Sequence, residues 1–186
     1  MKKEYLKVIS DCDGMTLSAA IFEPEDKEEI RGVVQFSHGM AEHKERYYPL
    51  MEFLAENGFA SVINDHRGHG ESVRCKEDWG YFSDYTAEFA VEDLHLITGE
   101  IKKRFPNKPI CLFGHSMGSM IARDFMAKYG NELAGAVICG TPGVFPIKEE
   151  GIAEMEQKIA AGEGSASDPQ LTVKLMGWMG ERCGDV

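Results

Sequence analysis

The sequence predicts an α/β fold in which a mostly parallel sheet is covered by helices on both faces. Short, continuous apolar runs alternate along the chain with segments whose apolar residues recur every three or four positions. The first pattern is typical of parallel strands buried on both faces, and the second is typical of amphipathic helices. Apolar residues make up 43% of the 186 residues, which is enough for one hydrophobic core.

An N-terminal hairpin and four further strands are predicted. Alternating apolar and polar residues at 4–9 and 15–22 flank a turn sequence at 11–14, and together they indicate the hairpin. Continuous apolar runs bounded by turn residues predict buried strands. These runs lie at 32–37, 59–64, 109–113 and 134–139.

Three helices are predicted between these strands. The first, at 46–57, is expected to bury four side chains on one face: Tyr47, Leu50, Phe53 and Leu54. The third follows the strand at 109–113 and ends near Tyr129.

The second helix has the clearest periodicity in the chain. Ser83 or Asp84 can cap its start, and Pro106 ends it. Its apolar residues recur at steps of three and four, which predicts one buried face. That face consists of Ala87, Ala90, Val91, Leu94, Ile97, Ile101 and Phe105.

The strand pattern ends after Thr141, and a pair of helices is predicted there. Apolar residues at 152, 155 and 159 mark the first helix. Asp168 followed by Pro169 is typical of a helix start, and the apolar face of this second helix is Leu171, Leu175, Trp178 and Met179. We therefore divide the chain into a core at 1–140 and a helical segment at 141–186.

Composition and charge exclude several classes of function. The chain has 20 basic and 31 acidic side chains and a formal charge of −11, so its surface repels phosphate backbones and no nucleic-acid partner is expected. Five scattered cysteines, without a C-x-x-C pair, indicate neither a disulfide framework nor a zinc site. With no signal-peptide pattern and no apolar run long enough for a transmembrane segment, we expect a cytoplasmic protein.

The sequence Gly114-His115-Ser116-Met117-Gly118 matches the G-x-S-x-G pattern of a nucleophile elbow. A predicted strand precedes it and a predicted helix follows it, as that turn requires. The two glycines leave room for a strained serine, and the helix start places free N–H groups beside a developing oxyanion. Ser116 is thus a candidate nucleophile and the Met117 N–H a candidate oxyanion donor. The alternative is a tight structural turn that carries an ordinary serine.

A second motif, His38-Gly39-Met40, follows the strand at 32–37. Hydrolases with this kind of elbow need a second oxyanion N–H from the loop after that strand. The backbone N–H of Met40 is the candidate, with His38 and Gly39 as supporting residues. Taken alone, this motif favours a strand end with a turn glycine, but together with the elbow it favours an oxyanion loop.

The glycine-rich segment at 65–72 carries His66 and His69. A loop provides no helical face to align the two rings, and a further ligand set is missing, so no metal site is predicted. We expect a structural loop that shapes the mouth of the site. His95, within the second helix, is expected at the surface.

In this order the motifs resemble the α/β-hydrolase superfamily, and within it the monoacylglycerol lipase and lysophospholipase group of serine aminopeptidase-like hydrolases. The resemblance extends over roughly residues 4–140 and is carried by four stretches. They are His38 to His43 with Arg46 and Tyr47, Asp65 to Ser72, Val91-Glu92-Asp93, and Gly114 to Gly118.

The resemblance implies hydrolysis of small acyl esters, such as monoacylglycerols or lysophospholipids, without a cofactor. Ser116 would attack the carbonyl carbon, the Met40 and Met117 N–H groups would hold the oxyanion, and an acid-oriented histidine would accept the serine proton. Residues 141–186 resemble the start of a helical lid over an acyl pocket. Its large side chains would either line the pocket or pack the lid onto the body: Met155, Met176, Trp178 and Met179.

The triad acid and base are not identified. In this fold they follow the serine in the order acid, then histidine, yet none of the six histidines follows Ser116. Asp168 and Asp185 lie in lid-like sequence and are not assigned. A rewired triad that uses His38 is an alternative, although in the family group that residue supports the oxyanion loop.

We therefore expect a chain truncated within the lid and lacking the last strands of the fold. The strand at 134–139 would then be an exposed apolar edge, which predicts self-association. Two other functions remain open. One is a non-catalytic relative that binds an acyl ligand or a partner, and the other is a serine peptidase or acyltransferase on the same elbow.

Overall fold

The computed structural model describes residues 1–82, 86–141, 143, 149–164, 168 and 170–171. The chain divides into two compact units, Met1–Thr141 and Pro142–Val186. The described part of unit one contains six strands, β1 to β6, and three α-helices, α1 to α3, in an alternating order that confirms the predicted α/β fold. In chain order they are β1 (Lys2–Ile9), β2 (Thr16–Glu23), β3 (Gly32–Ser37), α1 (Tyr48–Glu56), β4 (Phe59–Asn64), α2 (Thr86–Arg104), β5 (Ile110–His115), α3 (Met117–Tyr129) and β6 (Gly135–Cys139).

The six strands form one mixed sheet in the order β1-β2-β4-β3-β5-β6. The predicted hairpin is present as the antiparallel pair β1–β2, and β2 is also antiparallel to β4. The strands β4, β3, β5 and β6 run parallel, with Ser37 beside Gly114. Because the carboxyl ends of parallel strands meet at one edge, the loops after β3, β4 and β5 lie together there.

Helices cover both faces of the sheet. On one face, α2 and α3 pack against alternate strand residues such as Val33 and Leu112. On the other face, α1 packs against Phe36 and Ile63. The predicted apolar face of α2 is confirmed at every described side chain: Ala90, Val91, Leu94, Ile97, Ile101 and Phe105 are all buried. The cap candidates Ser83 and Asp84 lie outside the described residues.

The predicted face of α1 is wrong in part. Leu50 and Phe53 are 40% and 58% exposed, whereas Met51 and Ala55 are buried. A 3₁₀ turn at Lys44–Tyr47 precedes the helix, which begins only at Tyr48. Apolar residues at 50, 51, 53, 54 and 55 occupy more than half of the helix circumference, so their spacing alone does not select the face that packs against the sheet.

Unit two contains the predicted helix α4 (Glu149–Ala160). Asp168 accepts a hydrogen bond from the Leu171 N–H at 2.9 Å, as expected of a helix cap. Four residues of the predicted second helix and one unassigned acid lie outside the described residues: Leu175, Met176, Trp178, Met179 and Asp185. Among the described helices, none combines the length and apolar character needed to cross a membrane.

Candidate active site

Ser116 occupies the sharp turn between β5 and α3. Its backbone has φ 52° and ψ −119°, a conformation that residues other than glycine rarely adopt. The Ser116 N–H donates to the carbonyl of Cys139 at 3.0 Å, and the Ser116 carbonyl accepts the Ser119 N–H at 2.9 Å. Hydrogen bonds to β6 and to the first turn of α3 therefore hold the strained residue from both sides.

The two elbow glycines lie where backbones approach most closely. A Cβ on Gly118 would overlap the backbone of Ser37 and His38. On Gly114 it would overlap the Gly118 carbonyl and would lie 2.7 Å from the Ala122 Cβ. A side chain at either position would push the elbow away from β3 or α3, so both positions require glycine.

The residues after β3 form the candidate oxyanion loop, defined here as His38 to Ala41. This loop packs directly on Ser116, because a Cβ on Gly39 would lie 3.2 Å from the Ser116 Cβ. The structure gives the backbone N–H of Met40 and that of Met117 no hydrogen-bond partner among the described residues. Two free donors therefore lie on the two segments that flank Ser116.

His38 is fully buried and supports the loop. One ring nitrogen, Nδ1, is 2.8 Å from the Gly39 carbonyl, and the other, Nε2, accepts the His66 N–H at 2.9 Å. Burial lowers the pKa of His38 to about 4, so the ring is neutral near pH 7. Because both ring nitrogens have partners, neither is free to accept a proton from Ser116. This geometry argues against a triad in which His38 is the base.

His66 and His69 also face the oxyanion loop. The His66 Nε2 lies 2.9 Å from the Ser37 hydroxyl, and complete burial lowers the pKa of His66 well below its usual value. The His69 Nε2 accepts the Ala41 N–H at 3.3 Å. In the part of the chain that the structure describes, no group of three or more His, Cys, Asp or Glu side chains could hold a metal ion.

An ion cluster around the buried pair Lys44–Asp65 connects the segment at 65–72 to the residues after the oxyanion loop. The ammonium group of Lys44 lies 2.8 Å from both Asp65 and Glu71, and the Lys44 N–H donates to Asp65 at 2.7 Å. Burial alone would lower the pKa of Lys44, but the hydrogen bonds and the charges of these carboxylates raise it. Sequence reasoning missed this cluster, since nothing in the local pattern pairs residues 21 positions apart.

A cavity of about 480 Å³ opens beside the oxyanion loop. Met40, His69, Trp79 and Phe82 line it, together with Glu42. Met40 is 45% exposed and Trp79 is 59% exposed. Apolar side chains from the loop after β4 thus contribute to an opening next to Met40, one of the two candidate oxyanion donors.

The two remaining histidines near these elements, His95 and His115, each contact a glutamate. His95 is not a freely exposed side chain, because it stacks on Tyr129 at 3.7 Å and contacts Glu132 at 3.1 Å. His115, in the elbow, has Nδ1 at 3.5 Å from Glu42. Sequence analysis placed Glu42 in the motif but assigned it no role of its own.

Comparison with known proteins identifies relatives in the family group that the sequence motifs resemble. A family model described as serine aminopeptidase, S33, matches residues 28–175. A monoacylglycerol lipase of Mycolicibacterium smegmatis is 32% identical over 137 residues, which are 71% of this chain and 47% of that protein. Human monoglyceride lipase is 32% identical over 108 residues, 58% of this chain and 34% of that protein.

Solved structures share the fold. A thermostable carboxyl esterase from Bacillus coagulans, in complex with glycerol, is similar at a TM-score of 0.87 and 35% identity, over 100% of this chain and 59% of that chain. A soluble variant of Saccharomyces cerevisiae monoglyceride lipase, in complex with a substrate analogue, has a TM-score of 0.64 at 23% identity, over 87% of this chain and 50% of that chain.

The chain spans about one-third to one-half of the length of the curated relatives it matches. The family model nevertheless covers most of the chain, including the oxyanion loop and the elbow. The fold also matches that of the Bacillus coagulans carboxyl esterase over the whole chain. The chain therefore belongs to the serine aminopeptidase S33 family of α/β-hydrolases.

Proposed function

We propose that this chain carries the nucleophile and the oxyanion donors of a serine carboxylic-ester hydrolase. The observation that carries the proposal is the strained Ser116, which adjoins a loop and a helix start that each offer a free N–H group. The names of the relatives favour small acyl esters, such as monoacylglycerols or lysophospholipids, as substrates. No cofactor takes part in this reaction.

In the proposed reaction, the Ser116 hydroxyl oxygen attacks the acyl carbonyl carbon. The carbonyl oxygen gains negative charge and accepts hydrogen bonds from the Met40 and Met117 N–H groups. The alcohol then leaves with a proton, and water releases the acid from the acyl-enzyme. We assign neither the base nor the orienting acid to a residue of this chain.

We also propose that residues 1–140 are the N-terminal part of the hydrolase core and that residues 141–186 are the start of a helical lid. The division of the chain at Thr141 and the amphipathic helix α4 support this boundary. Asp168 caps Leu171 and pairs with Lys158 at 2.7 Å, which supports a structural role for this carboxylate.

The proposal is tested by labelling with a fluorophosphonate, followed by intact-mass analysis. We expect one adduct that is absent in the Ser116→Ala variant. Labelling of this chain would indicate a competent base within it. Labelling only in a form extended to the length of the relatives would place the base in the added part. No adduct in either form would favour the non-catalytic binding protein and would contradict the proposal.

A substrate panel distinguishes the remaining reactions. Glycerol monoesters, lysophospholipids and peptide amides are offered to whichever form is labelled, and hydrolysis is compared with acyl transfer to an added alcohol. We expect ester hydrolysis to be fastest. Faster cleavage of amides would identify a peptidase, and net transfer in water would identify an acyltransferase.

We propose in addition that the open edge of β6 lets the chain self-associate. Among the described strands β6 pairs only with β5, and its apolar Val137 is 48% exposed. Such an edge offers unpaired backbone groups to a second chain. Val137→Lys is expected to lower the association constant at least about tenfold in sedimentation experiments. Tyr5→Lys, on the opposite edge strand, is the control, and an equal effect of both would contradict the assignment to β6.

A further inference from the structure

The carboxylate of Glu42 lies beneath the oxyanion loop. Its side chain is only 8% exposed. One oxygen, Oε2, accepts the Gly39 N–H at 3.0 Å and the Tyr47 hydroxyl at 2.8 Å. Glu42 therefore fixes the residue that directly precedes the candidate donor Met40.

The second oxygen of Glu42 reaches the elbow. Oε1 lies 3.3 Å from Nε of Arg46 and 3.5 Å from Nδ1 of His115. His115 directly precedes Ser116 in the chain. One nearly buried carboxylate thus contacts both segments that carry the candidate oxyanion donors.

The N–H groups on both sides of Met40 are taken by side chains. The Gly39 N–H donates to Glu42, and the Ala41 N–H donates to His69 at 3.3 Å. Ala41 has φ 57°, a left-handed conformation that alanine rarely adopts without support. The N–H groups of Gly39 and Ala41 thus already have acceptors. Among these three residues, the Met40 N–H remains available to donate to the oxygen of a substrate.

We infer that Glu42 is a positioning residue that holds the Met40 N–H toward the oxyanion and couples it, through His115, to the elbow. The inference rests on the proposed function and adds a residue to it. Glu42 acts through the backbone of Gly39 and does not itself touch the reacting atoms.

Packing and charge explain why this contact is rigid. A Cβ on Gly39 would lie 3.2 Å from both the Glu42 carboxyl group and the Ser116 Cβ, so the loop is wedged between the two. Burial raises the pKa of Glu42, but hydrogen bonds from Gly39 and Tyr47 outweigh this effect and hold it below its usual value. The ionised carboxylate makes charge-assisted hydrogen bonds, which are stronger than neutral ones.

The first test measures hydrogen–deuterium exchange of the Gly39 amide in the full chain. Glu42→Ala is expected to accelerate this exchange at least about tenfold, because the N–H loses its acceptor. Glu42→Gln keeps an acceptor oxygen and is expected to restore most of the protection. Glu132→Ala removes a carboxylate that pairs with His95 and Lys102, near the start of β6 and away from the elbow, and serves as the matched control.

The exchange data are interpreted together with urea unfolding of each variant, which corrects for any change in global stability. Unchanged exchange of Gly39 in Glu42→Ala would overturn the inference. Equal acceleration in Glu132→Ala would also overturn it, because the effect would then be general loosening.

The second test measures the rate at which a fluorophosphonate labels Ser116. Glu42→Ala is expected to lower the maximal labelling rate at least about tenfold and to leave reversible binding of the probe nearly unchanged, because the donors act as the new bond forms. Glu42→Gln is expected to recover part of the rate. If the parent chain is labelled and Glu42→Ala reacts equally fast, the inference is wrong while the proposed function stands. If the parent chain is not labelled, the same rates are compared in the form extended to the length of the relatives. If that form is not labelled either, the proposed function fails, and the exchange experiment alone decides whether Glu42 holds the Gly39 N–H.

Discussion

The elbow at 114–118 and the segment at 65–72 both pack against the oxyanion loop, but different forces hold them. The elbow is held by shape, because Gly118 and Gly114 allow backbones to approach where no side chain fits. The segment at 65–72 is held by buried polar groups, including the Lys44–Asp65 ion pair and the neutral rings of His38 and His66. An added methyl group should therefore destabilise the elbow, whereas a change of charge or pH should destabilise the contacts of the segment at 65–72.

This difference shows how the strained backbone of Ser116 can be kept rigid. Steric contacts around Ser116 do not depend on protonation, so the elbow itself keeps its form over a wide pH range. The oxyanion loop, which carries the candidate donor Met40, is held by groups whose charge state matters: the Lys44–Asp65 ion pair and the neutral ring of His38. We expect the two sides to fail separately, and the following predictions are ordered from the largest effect to the smallest.

Removing the buried ammonium group should have the largest effect. Lys44→Met leaves Asp65 buried without its charged partner, which is expected to lower the free energy of unfolding by about 3–5 kcal/mol. Urea unfolding measures the change. Lys102→Met removes an exposed ion pair with Glu132 and is the control, with an expected loss of less than about 1 kcal/mol. Similar losses in both variants would show that the buried cluster contributes no more than a surface pair.

A methyl group at the elbow should have the next largest effect. Gly118→Ala overlaps the backbone after β3 and is expected to cost about 3 kcal/mol of stability, because backbone atoms cannot move aside as a side chain can. Gly99→Ala in α2 meets no atom within 4 Å and is expected to gain up to about 1 kcal/mol, since alanine favours the helix. Thermal and urea unfolding compare the two, and a tolerated Gly118→Ala would contradict the close approach.

Low pH should destabilise the contacts between the oxyanion loop and the segment at 65–72. The pKa of His38 is about 4 in the folded chain, below its usual value of 6.5, so the unfolded chain binds a proton first as pH falls. The stabilisation is complete above pH 6.5 and is lost as the pH falls to about 4, with a total of about 3 kcal/mol. His66 contributes in the same direction.

The pH effect is measured as the urea midpoint between pH 7 and pH 4. His38→Gln removes the titrating group and is expected to flatten this dependence relative to the parent chain. His43→Gln changes an exposed histidine and should retain the parent slope. A parent-like slope in His38→Gln would mean that the buried ring does not control acid stability.

Relief of backbone strain should have the smallest effect. Ser116→Gly is expected to raise the free energy of unfolding by about 1 kcal/mol, because glycine adopts φ 52° without steric cost. Ser119→Gly, three residues later in α3, is expected to lower stability, since glycine disfavours the helix and a buried hydrogen bond is lost. Calorimetric melting temperatures report both changes, and destabilisation by Ser116→Gly would argue against backbone strain at Ser116.

Much of the fold was predictable because the relevant signals are local. The periodicity of α2 identified its buried face, and apolar runs located the buried strands. The face of α1 was predicted incorrectly in part, since apolar residues occupy more than half of the circumference of this helix and their spacing does not select the buried face. The elbow could be located because its glycines and serine are adjacent in the chain.

The supporting polar contacts could not be predicted in this way. Lys44 and Asp65 are 21 residues apart, and a lysine with this sequence context is usually exposed. Glu42 is close to Gly39 in the chain, yet its second contact, with His115, exists only because β3 and β5 are neighbours in the sheet.

By itself the sequence determined the α/β class, the order of strands and helices, and the positions of Ser116, Met40 and Met117 as candidates. These features depend on hydrophobic periodicity and on turn residues at fixed spacing, which act over a few residues. Only the tertiary structure decided which side chains hold the candidate donors in place. Parallel strands bring loops from distant parts of the chain to one edge, and burial there gives Glu42, Lys44 and His38 partners and charge states that no local pattern encodes.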